Sequence, residues 1–282
     1  MLTGKHSHKN GFTNNEHGVF DGSQQTMPKL LQKVGYQTAI IGKWHLVSTP
    51  TGFDFWNIVP GQGDYYNPTF INMDNSHVTE KGYLTNIVTD KAIDWMEHKR
   101  DRSKPFALFI HHKACHRDWL PEMKYLHEYE DKTFALPDNF YDNYEGREAA
   151  KTQEMEIANN DHMDIVYDVK MDRPGLKTRL SDSYHNMVQR LDSTDLNAYN
   201  AFYYALSADF YSRNLKGKEL AEFKYQRYMR DYAKVLKSLD DNVGRTLDYL
   251  EKAGLLDSTL VVYTSDPVSY THLRAHETEL HL

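Results

Sequence analysis

The chain has 282 residues, with 33 Lys and Arg against 40 Asp and Glu and a net charge of −7. That length suffices for one large α/β domain or two modest ones, and the acidic balance argues against a nucleic-acid binder, which needs a basic surface to neutralise phosphates. No apolar run approaches the ~20 residues of a membrane span, and Cys115 is the only cysteine, so no intrachain disulfide can form.

The start, MLTGKHSHKNG, is polar and lacks the apolar core of a signal peptide. Residues 24–34 read as a helix closed by Gly35, with Leu30, Leu31 and Val34 on one side. The next stretch, QTAIIGKWH, is a near-continuous apolar run ending in Gly42, Lys43 and His45. Such runs mark strands buried on both faces, as in parallel sheets. Residues 52–72, GFDFWNIVPGQGDYYNPTFIN, are rich in Gly, Pro and aromatics and read as an ordered loop. A helix is expected over 84–98. A second buried strand, Phe106 to Ile110, follows Pro105 and leads into His111, His112, Lys113 and His116. Residues 120–174 read as a second ordered, aromatic-rich loop. A long amphipathic helix is expected over 218–253, with Tyr225, Tyr228, Tyr232, Leu236, Leu239 and Val243 at three- and four-residue steps and Gly254 as its stop. A third strand, Leu260 to Tyr263, runs into Thr264, Ser265 and Asp266. Strand and helix thus alternate as in an open α/β sheet.

In such sheets ligands bind beyond the carboxyl ends of the strands. All three expected strands end in reactive side chains there. Lys43 and His45 project to one side if the chain is still extended, because the strand period is two. A sulfate or phosphate ester needs fixed cations around its oxygens and an acid for the leaving alkoxide. A strand-end carboxylate can hold a hard divalent cation. Lys43, His45, His116 and Asp266 suit that chemistry, but one carboxylate does not make a metal site, and no activated nucleophile is visible. Alternatively, Trp56, Tyr65, Tyr66, Phe70 and Trp119 could stack on sugars in a non-catalytic glycan-binding module, or pack in the core.

Taken in order, MLTGKHSHKNG, GYQTAIIGKWHL, FALFIHHKACHRDW and LDSTLVVYTSD resemble the type I sulfatases of the alkaline-phosphatase-like superfamily. The two aromatic-rich loops look most like those of bacterial enzymes related to N-acetylglucosamine-6-O-sulfatases of glycan degradation. The resemblance implies an alkaline-phosphatase-like, largely parallel sheet flanked by helices, incomplete at both ends. It implies a sulfuric ester hydrolase acting on a sulfated carbohydrate, with Ca²⁺ and a formylglycine nucleophile. It assigns Lys43 to the sulfate oxygens and the formylglycine hydroxyl, His45 to accepting a proton so that sulfate is expelled, His116 to donating to the leaving sugar oxygen, and Asp266 to Ca²⁺.

In the family the formylglycine motif directly precedes an LTG segment, so the nucleophile and the paired metal aspartates are expected upstream of Met1. Pro267 stands where a further ligand is usual, and PVSYTHLRAHETELHL departs from the family pattern. Residues 1–266 are therefore expected to be part of a catalytic domain and 267–282 a non-native tail. The chain by itself is expected to be inactive. A periplasmic or secreted location is implied by the family. The nearest rival in the superfamily is a phosphodiesterase or phosphonate hydrolase.

Overall fold

The computed structural model describes residues 2–15, 17–152, 157 and 163–264. The chain forms two compact units. The first takes residues up to Ala114 together with Leu239–Asp257; the second takes Cys115–Ser238 and the described residues from Ser258.

The first unit holds helices α1 (Ser7–Asn10) and α2 (Met27–Lys33), strands β1 (Gln37–Trp44), β2 (Phe55–Pro60), β3 (Thr69–Ile71) and β4 (His77–Thr79), helix α3 (Leu84–Asp94) and strand β5 (Phe106–His111). The sheet order is β4-β3-β2-β1-β5. β1 runs parallel to β2 and to β5. β3 is antiparallel to both β2 and β4. The α/β class holds, with a parallel centre extended on one side by an antiparallel pair.

β1 forms where the sequence is apolar without alternation, because both faces are covered. Ala39 and Ile41 join Val59, Leu84, Val88 and Trp95 on one face, while Ile40 joins Trp44, Phe53, Trp56 and Ile58 on the other. Ile40 and Ile41 are fully buried, and each contributes about 1.5–3 kcal/mol by leaving water. Gly42 closes this run for a steric reason. Its φ is +110°, and an added Cβ would lie 2.1 Å from the carbonyl oxygen of His111 on β5.

Three expectations need correction. The helix expected over 24–34 is shorter, because Pro28 lies in its first turn and lacks the N–H an earlier turn would need. The loop expected over 52–72 contains β2 and β3. The polar Asn57 obscured β2, yet it is accommodated by donating Nδ2–H to Asn72 Oδ1 at 2.6 Å. The third strand, Leu260 to Tyr263, is absent: no described strand pairs with it, and its side chains are exposed, Leu260 at 88%. β-prone residues do not make a strand without a hydrogen-bonded neighbour.

The second unit holds α4 (Glu148–Lys151), α5 (Ser181–Val188), α6 (Ser193–Arg213) and most of α7 (Gly217–Lys252), whose last turns belong to the first unit. α7 matches the expected long helix within a residue at each end. α5 and α6 were not foreseen. Asp192 caps α6, its side chain accepting from the backbone N–H groups of Thr194 and Asp195. The buried stripe of α6 is Tyr199, Tyr203, Ser207 and Phe210, and it is blurred in sequence by Phe202, Tyr204 and Tyr211.

Candidate active site

Several polar side chains of the first unit lie at or just past the carboxyl ends of β1, β2 and β5. Lys43 occupies the penultimate position of β1 and donates from Nζ to Gln62 Oε1 at 2.7 Å. Gln62 comes from the turn after β2. Trp44 turns the other way, into the core, and donates Nε1–H to the Ser48 carbonyl. His45 is one residue past the strand. Burial, and then the charge of Lys43, hold its imidazole below the ordinary histidine range. It is therefore neutral at pH 7 and able to accept a proton.

β5 ends at His111, and His112 and Lys113 follow it directly. His111 Nδ1 lies 3.2 Å from the Lys43 carbonyl oxygen; a carbonyl only accepts, so Nδ1 carries the hydrogen. His112 Nδ1 is sealed from solvent without a hydrogen-bond partner. Burial, with a smaller contribution from His111, lowers the His112 pKa to about 4. Lys113 is buried and sits 4.8 Å above the Tyr65 ring. Gln62 and Lys113 are not among the candidate residues that the sequence singles out. Their signal was the GQG turn inside the expected substrate-facing loop and a lysine amid three histidines.

His116 belongs to the second unit. Its Nδ1 is 3.2 Å from the Arg117 carbonyl oxygen, so Nδ1–H donates and exchange of a proton with a ligand falls to Nε2. The next residues are strained. Asp118 holds φ 93° and Trp119 φ 38°, each costing on the order of 1 kcal/mol or more for an L side chain. Arg117 makes a two-pronged ion pair with the buried Asp168, Nε to Oδ1 at 2.6 Å and Nη2 to Oδ2 at 2.5 Å. Tyr167 donates its hydroxyl to Asp118. Cys115 points its thiol at the Tyr232 hydroxyl, 3.2 Å away. Burial pushes that thiol up, which suppresses the thiolate a nucleophile would need.

Lys43 and His45 thus share one strand end in the first unit, and His116 has its own setting in the second. Asp266 and residues 267–282 lie outside the described residues. Among the described residues no three His, Cys, Asp or Glu side chains converge as metal donors. The aromatics considered for sugar stacking are core: Tyr65 and Phe70 are wholly buried, and Trp56, Tyr66 and Trp119 nearly so. Their faces are occupied by protein, as in the stacked Tyr65–Tyr83 pair and the edge-on Trp119–Tyr228 pair.

The family model described as Sulfatase matches residues 1–280. An N-acetylglucosamine-6-O-sulfatase of Bacteroides thetaiotaomicron is 46% identical over 271 residues, covering 94% of this chain and 48% of that protein. The mouse N-acetylgalactosamine-6-sulfatase is 30% identical over 152 residues, covering 41% of this chain and 29% of that protein. Among solved structures, BT4656 in complex with its substrate D-glucosamine-2-N,6-O-disulfate superposes with a TM-score of 0.84 at 46% identity, covering 92% of this chain and 52% of that one. The chain spans about half the length of the N-acetylglucosamine-6-O-sulfatase and of BT4656, and less of the mouse enzyme.

Proposed function

Because the chain belongs to the sulfatase family, we propose that it serves a sulfuric ester hydrolase that removes sulfate from sulfated glycans, with 6-O-sulfated N-acetylglucosamine as the preferred unit. The observation that carries this reading is the 46% identity, spread over 94% of the chain, to an N-acetylglucosamine-6-O-sulfatase.

Three side chains of this chain have work in that reaction. Lys43, steadied by Gln62, offers charged N–H donors to sulfate oxygens, whose charge grows towards the transition state. His45, neutral through burial and the Lys43 charge, accepts the proton that must be removed for sulfate to be released. His116, with Nδ1–H committed to the Arg117 carbonyl, passes a proton from Nε2 to the sugar oxygen as its bond to sulfur breaks. The sugar then leaves as a hydroxyl rather than an alkoxide. Water and the ester give alcohol and sulfate overall. Ca²⁺ and formylglycine would supply metal binding and the nucleophile on the family resemblance. The described residues form no donor cluster that fits Ca²⁺.

On this reading the protein works in the periplasm or outside the cell, where sulfated glycans are met. No helix among the described residues is long and apolar enough to cross a membrane. The burial of Trp56, Tyr65, Phe70 and Trp119 weighs against a stacking glycan module. The test is sulfate release, followed by ion chromatography, from 6-sulfated N-acetylglucosamine by the product of the open reading frame carrying this sequence. Sulfate should appear, and Lys43→Ala or His45→Ala should lower its rate by roughly 100-fold or more. Cleavage of phosphodiesters without any desulfation would sink the reading in favour of the superfamily rival.

A further inference from the structure

We propose that the Arg117–Asp168 ion pair is a positioning device for His116, setting the direction in which its imidazole presents Nε2; this rests on the reading of His116 as the proton donor. The turn carrying His116 contains no glycine, yet Asp118 and Trp119 both hold positive φ. L residues stay in that region only where surrounding contacts over-determine the backbone. Such contacts lie on both sides of His116. On one side, Trp119 donates Nε1–H to the Cys115 carbonyl at 3.1 Å. On the other, Arg117 grips Asp168 with two N–H groups. Asp168 is itself fixed, since its Oδ2 also accepts the backbone N–H of Asp164 at 2.8 Å. The Arg117 guanidinium lies over the Tyr167 ring, and the hydroxyl of that tyrosine holds Asp118.

The decisive juxtaposition is within one residue. The guanidinium of Arg117 anchors it to Asp168, and the carbonyl of Arg117 receives His116 Nδ1–H. Whatever fixes Arg117 therefore fixes the tautomer and the ring direction of His116. A lysine at 117 would keep the charge but lose the planar fork that matches a carboxylate.

A positioned acid matters in proportion to how badly the leaving oxygen needs its proton. A sugar alkoxide needs it, and a nitrophenolate does not. Arg117→Lys, Asp168→Asn and His116→Ala should be compared, in the product of the reading frame, on 6-sulfated N-acetylglucosamine and on 4-nitrophenyl sulfate. Both positioning variants should lose roughly tenfold or more in kcat on the sugar sulfate, with KM little changed and little loss on the aryl sulfate. His116→Ala should show the same selectivity more deeply. Equal losses on the two esters, or none, in the Arg117 and Asp168 variants while His116→Ala remains selective would overturn the proposal alone. If His116→Ala shows no leaving-group dependence, the reading of His116 as the acid fails instead. Arg117→Lys, which keeps the charge, is the milder variant should Asp168→Asn not fold, and it carries the same test of the pair. ¹⁵N NMR of His116 gives a readout independent of turnover: the Nδ1–H tautomer should lose population in Arg117→Lys, and an unchanged ring spectrum counts against positioning.

Discussion

Two influences set the proton affinity of His45, its partial burial at the end of β1 and the ammonium of Lys43. Both disfavour the imidazolium, so the neutral base persists below the ordinary histidine range. Removing the ammonium takes away one of the two. Lys43→Met should therefore move the His45 titration, followed by ¹H NMR of its ring, to higher pH. A titration that stays in place would mean that burial alone sets it. Gln62 tunes the other side of the pair by holding the Lys43 amine. Gln62→Ala should lower kcat on the sugar sulfate by about 3- to 30-fold through one lost hydrogen bond to a charged group, measured as sulfate release.

On α7, Arg227, Asp231 and Lys234 lie on one helical face, with Lys170 joining from outside the helix. Asp231 accepts from Arg227 Nη2 at 2.6 Å and from the Tyr203 hydroxyl at 2.9 Å, and Lys170 Nζ lies 3.3 Å away. Burial works to raise the Asp231 pKa, but Arg227, Lys170, Lys234 and the Tyr203 hydroxyl outweigh it and hold the carboxyl below the usual carboxylate range. Asp231 thus contributes stability that is present above the unfolded carboxylate pKa and is lost as pH falls through the folded one. Asp231→Asn takes its carboxylate from the buried Lys170 and leaves Arg227 and Lys234 to Glu130; it should cost about 3–5 kcal/mol, read from denaturant unfolding at pH 7, with the gap narrowing in acid. The amphipathic stripe of α7 was plain from its spacing, as was β1 from its unbroken apolar run. β2 was hidden by Asn57, whose partner Asn72 lies 15 residues on. The third strand was expected from composition, but strand pairing is set by neighbours and not by residue type. The same limit applies at the candidate site. Lys43, His45 and His116 could be picked out by their place after apolar runs. The Arg117–Asp168 pair, 51 residues apart, could not, and nothing in the letters Tyr65 or Phe70 says that their rings are buried.

For the molecule as a whole, the two units carry different kinds of interior. The first is an apolar sandwich around β1, and the second includes the buried ion pairs on α7. What the fold leaves outside is Leu260 to Tyr263, four successive apolar residues that are all exposed. A β-prone run in that state invites pairing with other chains. Val262→Glu should reduce concentration-dependent light scattering while changing stability by no more than about 0.5 kcal/mol, as for other surface substitutions. Unaltered scattering would show that association, if present, proceeds through another face.

Gly42 makes the boundary between folding and chemistry visible to selection. Its missing Cβ is what lets β1 lie against the His111 carbonyl, whereas its neighbour Lys43 ends in a polar contact with Gln62. In a saturation library scored separately for cellular abundance and for desulfation, position 42 should drop out of both. Position 43 should drop out of the second only. A single step along the strand then separates heritable loss of the protein from heritable loss of its activity.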